Sequence, residues 1–157
     1  MIRRHTMNEF MILAAQQARE GITKGHGGPF GCVIVKEGRV IGSGHNEVIK
    51  NHDPTCHGEI MAIRDACRNT GSEDLSGCEL YTTGEPCPMC RGAILWANIR
   101  KVYFGCTIAD AEEIGFRDNR FYQEFDSFSS IMCESLDRSG CLEVFREYAA
   151  IEDKQSY

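Results

Sequence analysis

Two short segments constrain this chain more than any other feature: His57-Gly58-Glu59 and Pro86-Cys87-Pro88-Met89-Cys90. Each opens a stretch of helical spacing. Each also follows a turn built from loop-forming residues, Asp53-Pro54-Thr55 before the first and Gly84-Glu85-Pro86 before the second. Cys87 and Cys90 stand at i and i+3, so their sulfurs can share one helix face. Both lie where unpaired backbone N–H groups and the helix dipole favour thiolate. A fold that joins the two helix starts assembles one imidazole and two thiolates. That donor set suits Zn2+ and leaves a fourth position open, the pattern of a catalytic rather than a structural site. Water at such a position has its pKa lowered to about 7. Glu59 is placed to accept its proton without ligating the metal. Taken alone, Cys-x-x-Cys also reads as a redox pair, and a lone His-x-Glu says little. Their combination makes the zinc reading specific.

The rest of the chain supplies the frame. Phe10, Met11, Ala14, Ala15, Ala18 and Ile22 have helical spacing, with Asn8 as N-cap, and the glycines from Gly25 to Gly28 with Pro29 end that helix. Gly31–Val35 and Arg39–Gly44 read as a hairpin turning at Glu37-Gly38. Thr55 offers a cap for a helix over His57–Arg68, Cys78–Thr83 reads as a strand, and Met89–Ala97 as a short apolar helix. Lys101–Cys106 reads as a further buried strand, and Arg138–Ile151 as a last helix with Leu142, Phe145 and Ala149 on one face. This alternation predicts an α/β fold, a mixed sheet flanked by helices. Its sites belong at the carboxyl ends of strands.

Composition narrows the function classes. At 157 residues the chain is one domain, 1–157, long enough for a core without staples. The net charge of −6 argues against a dedicated nucleic-acid binder, which needs a basic face. No stretch reads as a membrane span or signal peptide. Nine cysteines, an odd number, cannot all pair within the chain, and a reducing cytoplasmic setting is the expectation. Cys32, Cys67, Cys78, Cys106, Cys133 and Cys141 lie in apolar patterns and are read as packing. Cys56 adjoins His57 but should face away from it. His45 and His52 are read as local hydrogen-bonding residues.

The paired segments, His-x-Glu and Pro-Cys-x-x-Cys, are the signature of zinc nucleobase deaminases. From about Phe10 to Phe125 the chain resembles the cytidine deaminase-like superfamily, and within it the short bacterial guanine deaminases. The resemblance includes Gly27-Gly-Pro-Phe-Gly31, His45-Asn46, Asn51-His-Asp-Pro-Thr55, Gly84-Glu-Pro-Cys-Pro-Met-Cys90, Ala93-Ile-Leu-Trp96 and Ala109-Asp-Ala-Glu-Glu-Ile-Gly-Phe-Arg-Asp118. It implies a three-layer α-β-α fold around a five-stranded mixed sheet whose fourth and fifth strands run parallel. It also implies zinc, a homodimer and hydrolytic loss of ammonia from an amino-substituted ring, and within the guanine deaminases the reaction is guanine to xanthine; with the acidic charge and the lack of an apolar span, a small-molecule nucleobase is the expected partner rather than nucleic acid or membrane. His57, Cys87 and Cys90 match the metal ligands and Glu59 the proton shuttle. Asn46 matches a residue bonding the base, Phe30 and Trp96 match aromatic walls, and Asp118 matches a carboxylate serving the leaving amine. The C-terminal segment, about 138–157, is expected to cross to a partner subunit, with Tyr157, and more weakly Glu143, closing its site.

Each of these residues also has a plainer reading. Asn46 suits a turn, Phe30 and Trp96 suit a core, Asp118 suits a solvated charge cluster, and Tyr157 an exposed tail. Deamination of adenosine in tRNA or of another aminated ring, and a closed zinc or redox module, stand as alternatives. Gly58 and Gly84 depart from the family pattern, which has Ala at the first position and a Ser or Leu at the second. Gly58 could leave more room beside the metal.

Overall fold

The computed structural model describes residues 7–126, 131 and 133–155. Its first helix, α1 (Glu9–Thr23), begins as predicted. Asn8 Oδ1 accepts from the N–H groups of Phe10 at 2.9 Å and Met11 at 3.2 Å, two donors that no helical carbonyl reaches. The chain continues through β1 (Gly31–Lys36), β2 (Arg39–His45), a short α2 (Val48–Asn51), α3 (Gly58–Thr70), β3 (Glu79–Gly84), α4 (Pro88–Trp96) and β4 (Lys101–Cys106). Helices α5 (Ile108–Glu113), α6 (Asp118–Glu124) and α7 (Arg138–Ala149) follow. The β1–β2 hairpin turns at Glu37 and Gly38, both at positive φ (49° and 74°), as a turn matching strand twist requires.

The sheet runs β2-β1-β3-β4. β1 is antiparallel to both neighbours, and β3 and β4 are parallel, joined by α4. Strand β1 is buried on both faces. Cys32 and Ile34 pack with Ala62 and Ala66 of α3, while Val33 and Val35 pack with Ala14 of α1 and with Tyr81. This two-residue alternation puts α1 on one face and α3 on the other.

The mixed sheet flanked by helices matches expectation, but the described residues form four strands rather than five. No further described strand pairs with β4, and Thr107 opens a helix directly after it. Its hydroxyl accepts from the Asp110 N–H while the Asp110 carboxylate accepts from the Thr107 N–H, a capping box that commits the chain to α5. Strand β4 is also not buried as expected. It is the outer strand of the described sheet, and most of its residues are exposed. Helix α7 forms where predicted, yet none of its residues is buried, and Phe145 is 72 % exposed. Of the six cysteines read as packing, Cys32 and Cys78 are buried and Cys67 half-buried, but Cys106, Cys133 and Cys141 are exposed: Cys106 on β4 and Cys141 on α7 lack a covering layer among the described residues, and Cys133 lies outside any helix or strand. Thr55 does not cap α3. It closes a turn by donating its N–H to Asp53 Oδ1 at 2.8 Å, and His57 takes the cap position.

The helices approach the sheet through glycines. A Cβ at Gly42 would lie 2.6 Å from the Ala66 Cβ, and one at Gly31 would lie 2.1 Å from the Ala14 carbonyl oxygen. Backbone cannot yield that far cheaply. Gly31→Ala should therefore cost about 3 kcal/mol, read as a lower denaturation midpoint in urea; an unchanged midpoint would contradict this packing.

Candidate active site

Helices α3 and α4 start in the same way. His57 and Cys87 each occupy the cap position in extended conformation (φ −70°, ψ 158° and φ −68°, ψ 169°), and neither side chain caps its own helix. Both side chains are therefore left to meet each other. His57 Nδ1 lies 3.6 Å from Cys87 Sγ. One turn into α4, the Cys90 thiol sits 3.4 Å from Glu59 Oε2, in the first turn of α3. Ligand atoms of His57, Cys87 and Cys90 all lie within 4.8 Å of one another.

The electrostatics fit a divalent cation. The Cys90 thiol's hydrogen bond holds Cys87 well below the ordinary thiol range, and His57 adds to this. The Cys87 thiolate in turn raises His57. Cys90 is pushed the other way by its bond to Cys87 and by burial. Burial raises the Glu59 carboxyl, and the Cys87 thiolate adds to it. Two sulfurs and a carboxylate thus crowd a space where only an imidazole can offer positive charge, and a metal cation removes the conflict. The donors also have the right softness for zinc.

A cavity of about 580 Å3 opens onto His57 and Cys87. Gly27, Gly28 and Asn46 form one wall, and Phe116, Asp118, Phe121 and Phe125 another. Asn46 is buried, and its Oδ1 accepts the Val48 N–H at 3.1 Å, which leaves its NH2 group for a ligand. Asp118, at the start of α6, has its carboxyl raised by burial and by the Cys87 thiolate.

Asn46, His57, Cys87 and Asp118 line this cavity, while Cys90 and Glu59 are buried beside the His57–Cys87 pair. Phe30 stands behind the cavity rather than in its wall. Its ring meets Phe116 edge-on at 4.8 Å, and Phe116 takes the lining position. Trp96, at the end of α4, is 69 % exposed and outside the cavity lining. Glu143 is on exposed α7, and Tyr157 lies outside the described residues. Cys56 bonds Asp53, Asn51 and Arg64 rather than the triad.

The glycine departures also have structural reasons. A Cβ at Gly84 would lie 3.0 Å from the Phe30 ring, and one at Gly58 would lie 3.0 Å from the Phe30 carbonyl oxygen. The space at Gly58 therefore serves close backbone packing, not the metal.

Sequence reasoning did not assign Phe116, Phe121 or Phe125. Their signal was present in the Thr107-x-x-Asp110 capping box, which predicts a helix and so a fold-back of this segment. Glu85 and Tyr122 fasten that fold-back. Glu85 accepts from the Ile108 N–H and from Arg91, both at 3.0 Å, and the Tyr122 hydroxyl donates to the Pro86 carbonyl.

Residues 4–106 match the model of the cytidine and deoxycytidylate deaminase zinc-binding region. Guanine deaminase of Bacillus subtilis is 49 % identical over 117 residues, 74 % of this chain and 75 % of that protein. A tRNA-specific adenosine deaminase of Aquifex aeolicus is 45 % identical over 95 residues, 60 % of this chain and 62 % of its own length. The crystal structure of B. subtilis guanine deaminase superposes with a TM-score of 0.90 at 41 % identity, covering 96 % of this chain and 99 % of that one. With its His57, Cys87 and Cys90 donors in place, the chain belongs to the zinc-binding cytidine and deoxycytidylate deaminase family.

Proposed function

We propose that this protein hydrolyses guanine to xanthine and ammonia. The observation that carries this reading is the reach of the likeness. The match to guanine deaminase structure extends over 96 % of the chain, through the α5–α6 segment that supplies Asp118 and the aromatic wall. By sequence, the match covers 74 % of the chain for guanine deaminase against 60 % for the tRNA deaminase. The net charge of −6 also favours a small base over a polyanion.

His57, Cys87 and Cys90 would hold Zn2+, which when bound would supply a water acidified to about pKa 7. Glu59 would accept a proton from the attacking water as the water oxygen bonds to C2 of the ring, and would pass that proton to the adjacent ring nitrogen. Burial suits Glu59 to this role, because it makes the protonated carboxyl easier to hold. Glu59 or Asp118 would then take the remaining proton of the added oxygen and deliver it to the amine at C2; the C–N bond breaks, C2=O forms and ammonia leaves. Asn46 donates its NH2 group to the base, and Phe116 packs against it.

The same reading takes the molecule as a cytoplasmic homodimer, one domain per chain, with the segment from about 138 onward exchanged between subunits and Tyr157 reaching the partner's site. Its support is the exposed apolar surface. Val144 and Phe145 on α7, Leu95 at the end of α4, and Phe104 on outer strand β4 are 61, 72, 58 and 43 % exposed, apolar surface that a partner chain would cover. No described helix is long and apolar enough to cross a membrane.

In a panel of free guanine, adenine, cytosine and tRNA, guanine alone should release ammonia; turnover of tRNA alone would overturn the reading. Glu59→Gln should lower kcat roughly 100- to 10,000-fold with zinc content unchanged; near-normal turnover would remove its role. Asp118→Asn should lower kcat by about 100-fold, again with zinc retained, and an unaltered kcat would leave proton delivery to Glu59 alone. Sedimentation should give the mass of two chains, falling to one when the chain is ended at Asp137; a monomeric full-length protein would contradict subunit exchange.

A further inference from the structure

Apart from the triad, one other group of metal-ligating side chains draws together among the described residues: His26, His45 and Glu47. They come from three parts of the fold: the loop after α1, the last position of β2, and the residue that starts α2. His26 Nδ1 is 2.8 Å from His45 Nε2, and His45 Nε2 is 3.7 Å from Glu47 Oε1. All three donor atoms lie within 4.8 Å of one another. We propose that His26, His45 and Glu47 form a second site for a divalent transition-metal ion, zinc or nickel, beside the candidate active site.

The surroundings are built for an imidazole that offers Nε2. Gln17 Oε1 lies 3.1 Å from His45 Nδ1 and takes its N–H, which sets the tautomer and turns the Nε2 lone pair toward His26 and Glu47. Helix α1 carries Gly21 against this ring, where a Cβ would sit 2.7 Å from the His45 Cδ2. Burial lowers His45 below the usual imidazole range, with His26 and Lys24 acting the same way against the pull of Glu47 and Glu20. The neutral form is the one that ligates. The loop bearing His26 is itself held, because its carbonyl accepts the Ile49 and Lys50 N–H groups at 3.0 and 3.1 Å.

In the metal-free arrangement the two rings share one proton, and Lys50 Nζ sits 3.2 Å from Glu47 Oε1. Binding moves the His26 proton to its Nε2, with a small turn of that half-exposed ring, and displaces the exposed Lys50 ammonium. Two imidazoles and a carboxylate then hold the ion, with water completing its coordination. The ion would join the loop leading into Gly27 and Gly28 to the strand end leading into Asn46. These residues line the cavity, so occupancy stiffens one wall of it.

The test counts metal. Full-length protein already holding its first zinc, with the exposed Cys106, Cys133 and Cys141 replaced by Ser to remove stray thiol binding, is dialysed against micromolar zinc at pH 8. Native mass spectrometry then reads the number of bound ions. Two ions per chain are expected, with a rise in Tm as the second binds. His26→Gln and Glu47→Gln should each weaken the second ion by about tenfold or more and leave the first in place. Cobalt titrated in as the second ion should show no sulfur-to-metal charge-transfer band. A single ion per chain would overturn the proposal, as would a second ion that persists in the His26→Gln, Glu47→Gln double variant or that shows a thiolate band.

Discussion

The rest of the structure depends on the meeting of two helix N-termini. A cap position normally spends its side chain on the helix it begins. Here His57 and Cys87 hold cap positions without capping, and their side chains cross the gap between α3 and α4 instead. The backbone N–H groups at both starts add positive potential, which favours thiolate at Cys87. Cys90 and Glu59 follow from the same arrangement, because each lies within the first turn of its helix and so faces the same gap. The arrangement concentrates sulfur and carboxylate in a buried space, and zinc is the partner that makes it consistent.

Close packing fixes where those helix starts lie. Gly31 lets α1 press on β1, and Gly42 lets α3 press on β2. Gly58 and Gly84 let the Phe30 backbone and ring sit between the two helix starts. The parallel β3–β4 pair delivers α4 from one strand end, at the edge where open α/β sheets gather their chemistry. The α5–α6 segment then folds back over the metal ligands, tied by Glu85 and Tyr122, and adds the aromatic wall and Asp118. The cavity is thus composite. Its metal floor comes from the helix starts, its polar wall from the strand ends at Asn46, and its apolar wall from the later helices.

Much of this was legible in the residues. The hairpin turn, the Asn8 cap, the four strands and the helices over α3, α4 and α7 follow from periodicity and turn chemistry, which are local. The convergence of His57, Cys87 and Cys90 follows from donor type and spacing at two helix starts. What failed was non-local. A buried reading of β4 assumed neighbours on both sides, and a strand's apolar run does not say whether it is central or outermost. The resemblance points to Phe30 as a cavity wall, where Phe116 stands instead, because aromatic residues far apart in sequence compete for one position only in three dimensions. Trp96 was placed at the base for the same reason, though the end of α4 points it outward. The exposed apolar face of α7 has its spacing written in Leu142, Phe145 and Ala149, but not what covers it.

X-ray absorption at the zinc edge, on protein carrying one zinc per chain with His26 and Glu47 replaced by Gln, tests the central claim most directly, since it reads the ligand set that the two helix starts are said to assemble. The account predicts two sulfurs at about 2.3 Å, with one imidazole nitrogen and one further light atom at about 2.0–2.1 Å. A shell of three or four sulfurs, or one with no sulfur, would contradict it.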